Sequence, residues 1–549
     1  MKKIISVVLS VVLIMSLAVP AFADNYGPIP RSSVPVIYIR GDSNELSYDN
    51  GTKSFAIEDM LSIFGDSEEG SFREATFNIL YPFILKGIAF NDWDDYYDAV
   101  YKEISDVYEP VRLDENGDPN DDCGIPQWQK DSLAADMVKD RAGKDGKYSE
   151  NSYWFYYDWR LDPIFLADQL HEYIEGIKKA TGHDKVSISA KCLGSNVVMA
   201  YINKYSADSL KGVSIDVSTS MGADFISGMI SGNFAIDGYS LSRFVNYLSG
   251  THEKVVDIAS FVTSTIDLLE LSGALDALSK VAREQLYEKI EYGIVSALAL
   301  STFFTYPGYW AVVTTEDFDN ALRYVFGEEG SAKRETYKGL IEKITYYNET
   351  IKKNIYPLMQ KLDESANLCV VSKYGVPIVP VIKDTTILAD EYVSVYNSSF
   401  GATTSSIYGT LSDKYIQAQT EKGLGKYISP DKQIDASTCL FPDYTWFFKG
   451  CPHGHFSSCE TFLLMSVIDA DRQLTVDDFD FTQFIVYDYP SRTAYPMTTE
   501  NCNTAYWTAD DELDHPKTKN DKLRSFLTML FRWLKNAFTL FQSLLSKKK

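Results

Sequence analysis

Hydrophobic and polar positions change period several times along the chain, and each change marks an expected element. Residues 34–39 are a short apolar run that follows Pro28 and Pro30. They predict a buried strand, closed by the glycine turn Arg40-Gly41-Asp42-Ser43. From Ser54 to about Val111 the spacing is mainly helical and acidic. Tyr153 to Trp159 is a dense aromatic run and predicts another strand. Ile164 to Thr181 places Leu166, Leu170, Tyr173, Ile174 and Ile177 at helical spacing, and Gly182 stops it. Lys185 to Ala190 alternates with β-branched residues, as a strand does, and an apolar helix follows from Ser195. Lys211 to Val217 supplies the next strand, ending at Ser218-Thr-Ser-Met-Gly222. Strand, helix, strand, turn, helix is a βαβ unit, which implies a parallel sheet covered on both faces.

Beyond residue 223 the strand pattern gives way to apolar helical stretches such as Val255–Leu271 and Leu286–Phe304, then the aromatic segment 303–310. Sheet character resumes at Leu368–Ser372 and Pro377–Val381, and once more at Phe484–Tyr489. A helical insertion between strands predicts a cap over the strand ends, with an independent second domain as the alternative. The expected fold class is α/β with a mostly parallel sheet. Its expected parts are an exported leader (1–23), a first core part (24–222), an inserted helical cap (223–365), a second core part (366–509) and a terminal linker and helix (510–549).

The two ends differ from the body. Lys2 and Lys3, an apolar run from Ile4 to Leu17, and Ala21-Phe22-Ala23 form the pattern of a secretory signal peptide. Secretion, or residence on the extracellular face of the cell membrane, is the expected location. Over 522–546 the polar residues Ser525, Thr528, Arg532, Lys535, Thr539, Gln542 and Ser546 recur every three or four positions among Leu, Phe, Met and Trp. This basic amphipathic stretch, Lys522–Lys549, predicts a helix lying on a membrane surface; a helix docked on the body is the alternative.

Charge narrows the partners. The 549-residue chain carries a formal net charge of −24, which repels nucleic-acid phosphates and excludes nucleic acid as an expected partner. The acidic loop Asp114–Asp122 lacks the spaced ligands and terminal Glu of an EF-hand. The seven cysteines include no C-x-x-C pair, so neither a metal nor a cofactor is expected. An odd cysteine count in an exported chain implies a free or intermolecular thiol, and the other six could form up to three bridges.

Candidate chemistry concentrates between the strand ending at Ala190 and the helix starting at Ser195. A strand that turns sharply into a helix places its turn residue at the helix N-terminus, where free N–H groups favour an anion. That is the layout of a nucleophile elbow, G-x-S-x-G, written here Ala190-Lys-Cys192-Leu-Gly194. A thiolate is a stronger nucleophile than a hydroxyl, and a neighbouring cation such as Lys191, turned inward, would favour it.

Tyr157-Asp158-Trp159-Arg160-Leu161-Asp-Pro163, then Thr181-Gly-His-Asp-Lys-Val186 and the elbow, resemble the lecithin–cholesterol acyltransferase-like branch of the α/β-hydrolases. Gly222 after its strand and the aromatic-Pro-Gly-Tyr-Trp segment are also similar. The family's elbow reads Gly-His-Ser-Met-Gly, so this chain departs from it at the nucleophile itself; dienelactone hydrolases resemble this arrangement in using cysteine there. The resemblance implies an α/β-hydrolase fold and the chain order nucleophile, acid, histidine. By that order His453 is the first choice of base and His455 the second, in Lys449-Gly-Cys-Pro-His-Gly-His-Phe456. Asp390 is the first choice of acid, in Leu388-Ala-Asp-Glu-Tyr-Val393, and Asp384 the second. Leu193 N–H and Asp42 N–H are the expected oxyanion donors.

The expected function is a membrane-surface acyl hydrolase or acyltransferase acting on lipid or other ester substrates through Cys192, His453 and Asp390. The alternatives are a binding protein on a hydrolase scaffold that no longer catalyses, and a thioesterase or lactone hydrolase for a small soluble substrate. No oligomeric state follows from the sequence.

Overall fold

A computed structural model describes residues 32–41, 46–47, 53–55, 82–88, 90–120, 123–134, 152–233, 289, 292–293, 295–379, 382–488 and 493–503. The expected leader, the helix at Val255–Leu271 and the terminal amphipathic helix lie outside the described residues.

Eight strands make the main sheet: β1 Val36–Ile39, β2 Ser152–Trp154, β3 Val186–Lys191, β4 Leu210–Asp216, β5 Asn367–Tyr374, β6 Thr445–Lys449, β7 Phe484–Asp488 and β8 Thr493–Pro496. Their order across the sheet is β8-β7-β6-β5-β4-β3-β1-β2. Every pairing is parallel except β7–β8, where Val486 faces Tyr495. A parallel sheet is covered on both faces, so its strands carry long apolar runs. Strand β5 shows the two faces within one run. Leu368 and Val370 join the core that contains Leu166, Val197 and Leu362, while Cys369 and Val371 join the core that contains Leu463, Leu464 and Val467.

Helix α1 spans Asp94–Tyr108, α2 Pro163–Thr181, α3 Gly194–Tyr205, α4 Asp224–Ile230, α5 Lys338–Thr350, α6 Ile355–Ser365, α7 Val395–Ser398 and α8 Ser458–Asp469. Helix α2 has the ends its sequence predicts. Asp162 caps it by accepting from Ile164 N–H (2.9 Å), Pro163 occupies the first turn, and Gly182 ends it at φ 76°. Between β4 and β5 the described residues form helices and no strand.

Two expected strands change. The aromatic run from Tyr153 is a strand only to Trp154; beyond it the chain turns so that Asp158 and Arg160 form a buried ion pair at 2.6 Å. Pro377–Val381 is not a strand among the described residues. Pro377 has no N–H to give a ladder, and the segment instead lies along residues 389–391, with Val379 N–H donating to Glu391 O (2.8 Å). Conversely, β6, β8 and α8 lie in the region expected to be mostly loop.

Candidate active site

The candidate nucleophile turn is two residues long, Cys192 and Leu193, between β3 and α3. Cys192 sits at φ +51°, in the left-handed region that costs a side-chain-bearing residue about 1–3 kcal/mol. Three hydrogen bonds hold it there. Its N–H donates to Asp216 O (3.0 Å), and its carbonyl accepts from Ser195 N–H (2.9 Å) and Ser195 Oγ (2.7 Å). The Ser195 oxygen in turn accepts from Thr219 N–H (3.2 Å) and Ser220 Oγ (3.0 Å), which ties the turn to the end of β4. Gly194 permits the helix to approach β1, since a Cβ there would lie 2.6 Å from Ile39 O. Ala190, at the position of the motif's first glycine, is fully buried in β3.

The turn after β1 presses on the same cysteine. A Cβ at Gly41 would lie 2.9 Å from Cys192 Cβ and 3.2 Å from its Sγ. The Tyr157 hydroxyl fixes this turn by donating to Arg40 O (2.5 Å) and Gly41 O (3.3 Å). Leu193 N–H makes no hydrogen bond to another described residue and opens beside Gly41, at the start of α3. The second expected oxyanion donor, Asp42, lies outside the described residues.

Asp390 and His453, the first-choice acid and base by chain order, lie side by side. Asp390, fully buried, takes Val393 N–H (2.9 Å) and Tyr392 N–H (3.2 Å) on Oδ1, which leaves Oδ2 for His453 Nδ1 at 2.9 Å. The backbones join too, His453 N–H donating to Asp390 O (3.1 Å). The Tyr392 ring stands edge-on to the imidazole, 5.3 Å away at 80°. Nε2 is buried and makes no ordinary hydrogen bond. Burial works against a charge on His453, but Asp390 and Cys192 outweigh it and hold its pKa well above the usual histidine value. Cys192 thus faces the imidazole closely enough to bear on its protonation. The alternatives are elsewhere: Asp384 is exposed and spends its carboxylate on Thr386, and the histidine bonded to Asp390 is His453, not His455.

Lys191 does not turn toward Cys192. Its Nζ lies 3.3 Å from Asp216 Oδ2 and 3.8 Å from the centre of the Phe456 ring, so the titratable group beside the thiol is the imidazole. The reason is register: Lys191 and Asp216 are partners across β3 and β4, so their side chains share one sheet face. The cysteines also depart from expectation. None of the seven is in a disulfide, and six are buried, Cys192 being the exception. Burial pushes the Cys439 thiol up to about 11 and raises Cys369 and Cys451 as well.

Beneath the turn lies a cluster that the sequence did not reveal. Lys373 is fully buried, with Nζ 3.2 Å from Asp216 Oδ2 and 3.0 Å from Glu460 Oε1, and it donates to His455 O at 2.6 Å. The Ser457-Ser-Cys-Glu460 spacing, a capping signal ahead of an apolar run, was the available clue to α8 and hence to Glu460. Ser457 Oγ does accept from Glu460 N–H (3.1 Å). No set of three or more His, Cys, Asp or Glu among the described residues could hold a metal ion.

Neither the protein-family models nor the curated proteins contain a match to this chain. Among solved structures, the chain is similar to one titled "The crystal structure of Tle4-Tli4 complex", at 12% identity, covering 62% of this chain and 75% of that one, with a TM-score of 0.23, too low to support any inference.

Proposed function

We propose that this protein is an acyl hydrolase or acyltransferase of the α/β-hydrolase type, similar to the lecithin–cholesterol acyltransferase-like branch, with cysteine as nucleophile. The observation that carries the reading is the Asp390–His453 pair at 2.9 Å, set beside a cysteine held at φ +51° on a strand-to-helix turn. Three elements far apart in sequence supply those groups in the order such enzymes use. The helices between β4 and β5 are read as a cap over the site.

In this reading His453 takes the Cys192 proton, and the raised affinity of the imidazole for a proton favours that transfer. The thiolate attacks the ester carbonyl carbon, and the carbonyl electron pair moves to oxygen. Leu193 N–H stabilises that oxyanion, with Asp42 N–H as the proposed second donor. Collapse breaks the carbon–oxygen ester bond, and the leaving alkoxide takes the proton from His453. The resulting thioester is then attacked by water or an acceptor alcohol, deprotonated by His453, and Cys192 leaves as thiol. Asp390 keeps the imidazole in the tautomer with Nδ1–H, and stabilises its cation.

Nitrophenyl esters of graded chain length test this directly. Wild type is expected to turn them over through an acyl intermediate whose added mass maps to Cys192. Cys192→Ala and His453→Ala should each lose about a thousandfold or more in kcat. Equal turnover in wild type and Cys192→Ala would sink the proposal. Chain-length preference then separates lipid-like from small soluble esters.

A further inference from the structure

His453 sits on the loop between β6 and α8, from Gly450 to Ser457, which has no regular structure of its own. Its approach to Cys192 therefore depends on what holds the loop. At the near end Gly450 N–H donates to Tyr374 O (2.7 Å), and at His453 the backbone and ring both bond Asp390. After His453 the loop turns on the local bond from His455 N–H to Pro452 O (3.0 Å). The Lys373 ammonium ties that turn to the body, donating to His455 O at 2.6 Å. The next residue, Phe456, lays its ring over two ammonium groups, with Lys191 3.8 Å and Lys373 4.7 Å from its centre.

These contacts join both halves of the site. Asp216 receives the Cys192 N–H on its carbonyl and grips Lys191 and Lys373 with its carboxylate. Glu460, at the start of α8, grips Lys373 from the other side. Two ammonium and two carboxylate groups are thus packed between the nucleophile turn and the histidine loop. Buried ion clusters commonly stabilise a fold less than apolar groups of the same volume, so fold stability alone is a poor account of this one.

We propose that Lys373 and Phe456 are positioning residues, which hold the His453 loop in register with the Cys192 turn through the quartet Lys191, Asp216, Lys373 and Glu460. This rests on the reading of His453 as the base for Cys192. Phe456 contributes a ring face rather than bulk, and Lys373 a charged donor to the carbonyl of His455. A substrate need not touch either residue. Their effect appears in how strongly the imidazole governs the thiol.

The rate of Cys192 alkylation by iodoacetamide, followed from pH 5.5 to 10 on the full chain, reads that coupling. Lys373→Met leaves two buried carboxylates short of a partner and can fail to fold, so the deciding variant is Phe456→Ala, at a half-exposed ring. At pH 6.5 it is expected to be alkylated roughly ten- to a hundredfold more slowly than wild type, approaching His453→Ala, and at wild-type rate at pH 10, with an unchanged thermal midpoint. Phe456→Tyr, which keeps the ring, should restore the profile, whereas Phe456→Leu should not. A Phe456→Ala profile equal to wild type, with His453→Ala still slow, overturns the positioning role and leaves the base assignment standing. A His453→Ala profile equal to wild type overturns the base assignment itself.

Discussion

At His453 a single ring meets a buried carboxylate on one edge and a cysteine on the other, and both raise its affinity for a proton. A histidine whose pKa is higher folded than unfolded stabilises the fold while protonated. The contribution is full below the unfolded value, about 6.5, and is lost as pH rises through the raised folded value. Wild type should therefore lose stability relative to His453→Asn across that interval, measured as the difference in urea midpoint at each pH. A difference that grows with rising pH would contradict the assignment. Cys192 shows a second residue-scale economy. Its φ of +51° suits glycine better, and Ser195 offsets the strain by satisfying the cysteine carbonyl twice.

Elements meet here at distances only glycine allows. Gly212 in β4 faces α8 so closely that a Cβ would stand 2.2 Å from Ile468 O and 2.5 Å from its Cα. Both are backbone atoms, so the helix must move. Gly212→Ala should cost about 1–3 kcal/mol of unfolding free energy in urea, and more subtly should disturb the Glu460 end of α8. Gly176, in the middle of α2, is the control. Nothing lies within 4 Å of its would-be Cβ, so Gly176→Ala should stabilise by about 0.5–1 kcal/mol through helix propensity. Loss of stability there would mean that α2 does not present that face to open space.

Over the whole molecule, what the sequence made legible follows from burial. Strands β3, β4 and β5 alternate β-branched and small residues between clear turn signals, and α2 carries a cap, a stripe and a glycine stop. Strand β6, Thr445–Lys449, is buried throughout, so it shows no alternation; with Pro442 before it and Gly450 after, its aromatic run looks like a loop. Asp390 and His453 were legible through chain order, because only a few histidines follow the nucleophile. Lys373 and Glu460 were not, since single charges inside a strand or helix ordinarily mark a solvated face, and only the fold brings them together. The inward turn of Lys191, left as a condition by the sequence, is not met, because its side chain goes to Asp216 across the sheet. The basic tail lies outside the described residues, so its role is tested in bulk. Deleting residues 518–549 should abolish flotation with anionic liposomes while leaving turnover of a soluble ester intact; flotation that survives the deletion would remove the membrane argument.

The sheet order has a consequence in time. Strands β3 and β4, with α2 and α3, pair with close neighbours along the chain and carry the Cys192 turn. Asp390 and His453 arrive only with β5 and β6, after the helices described between β4 and β5. Local pairings close faster than distant ones. A chain emerging from refolding should therefore own an accessible but ordinary thiol first, and its imidazole partner last. Pulsed alkylation during refolding should find Cys192 reactive early only at alkaline pH, and at near-neutral pH only once β6 has docked. Simultaneous appearance of the two reactivities would contradict this order. If Cys192 and His453 work as proposed, the thiol gains its imidazole partner only at the final step of assembly, so an incomplete chain would hold the cysteine without its base.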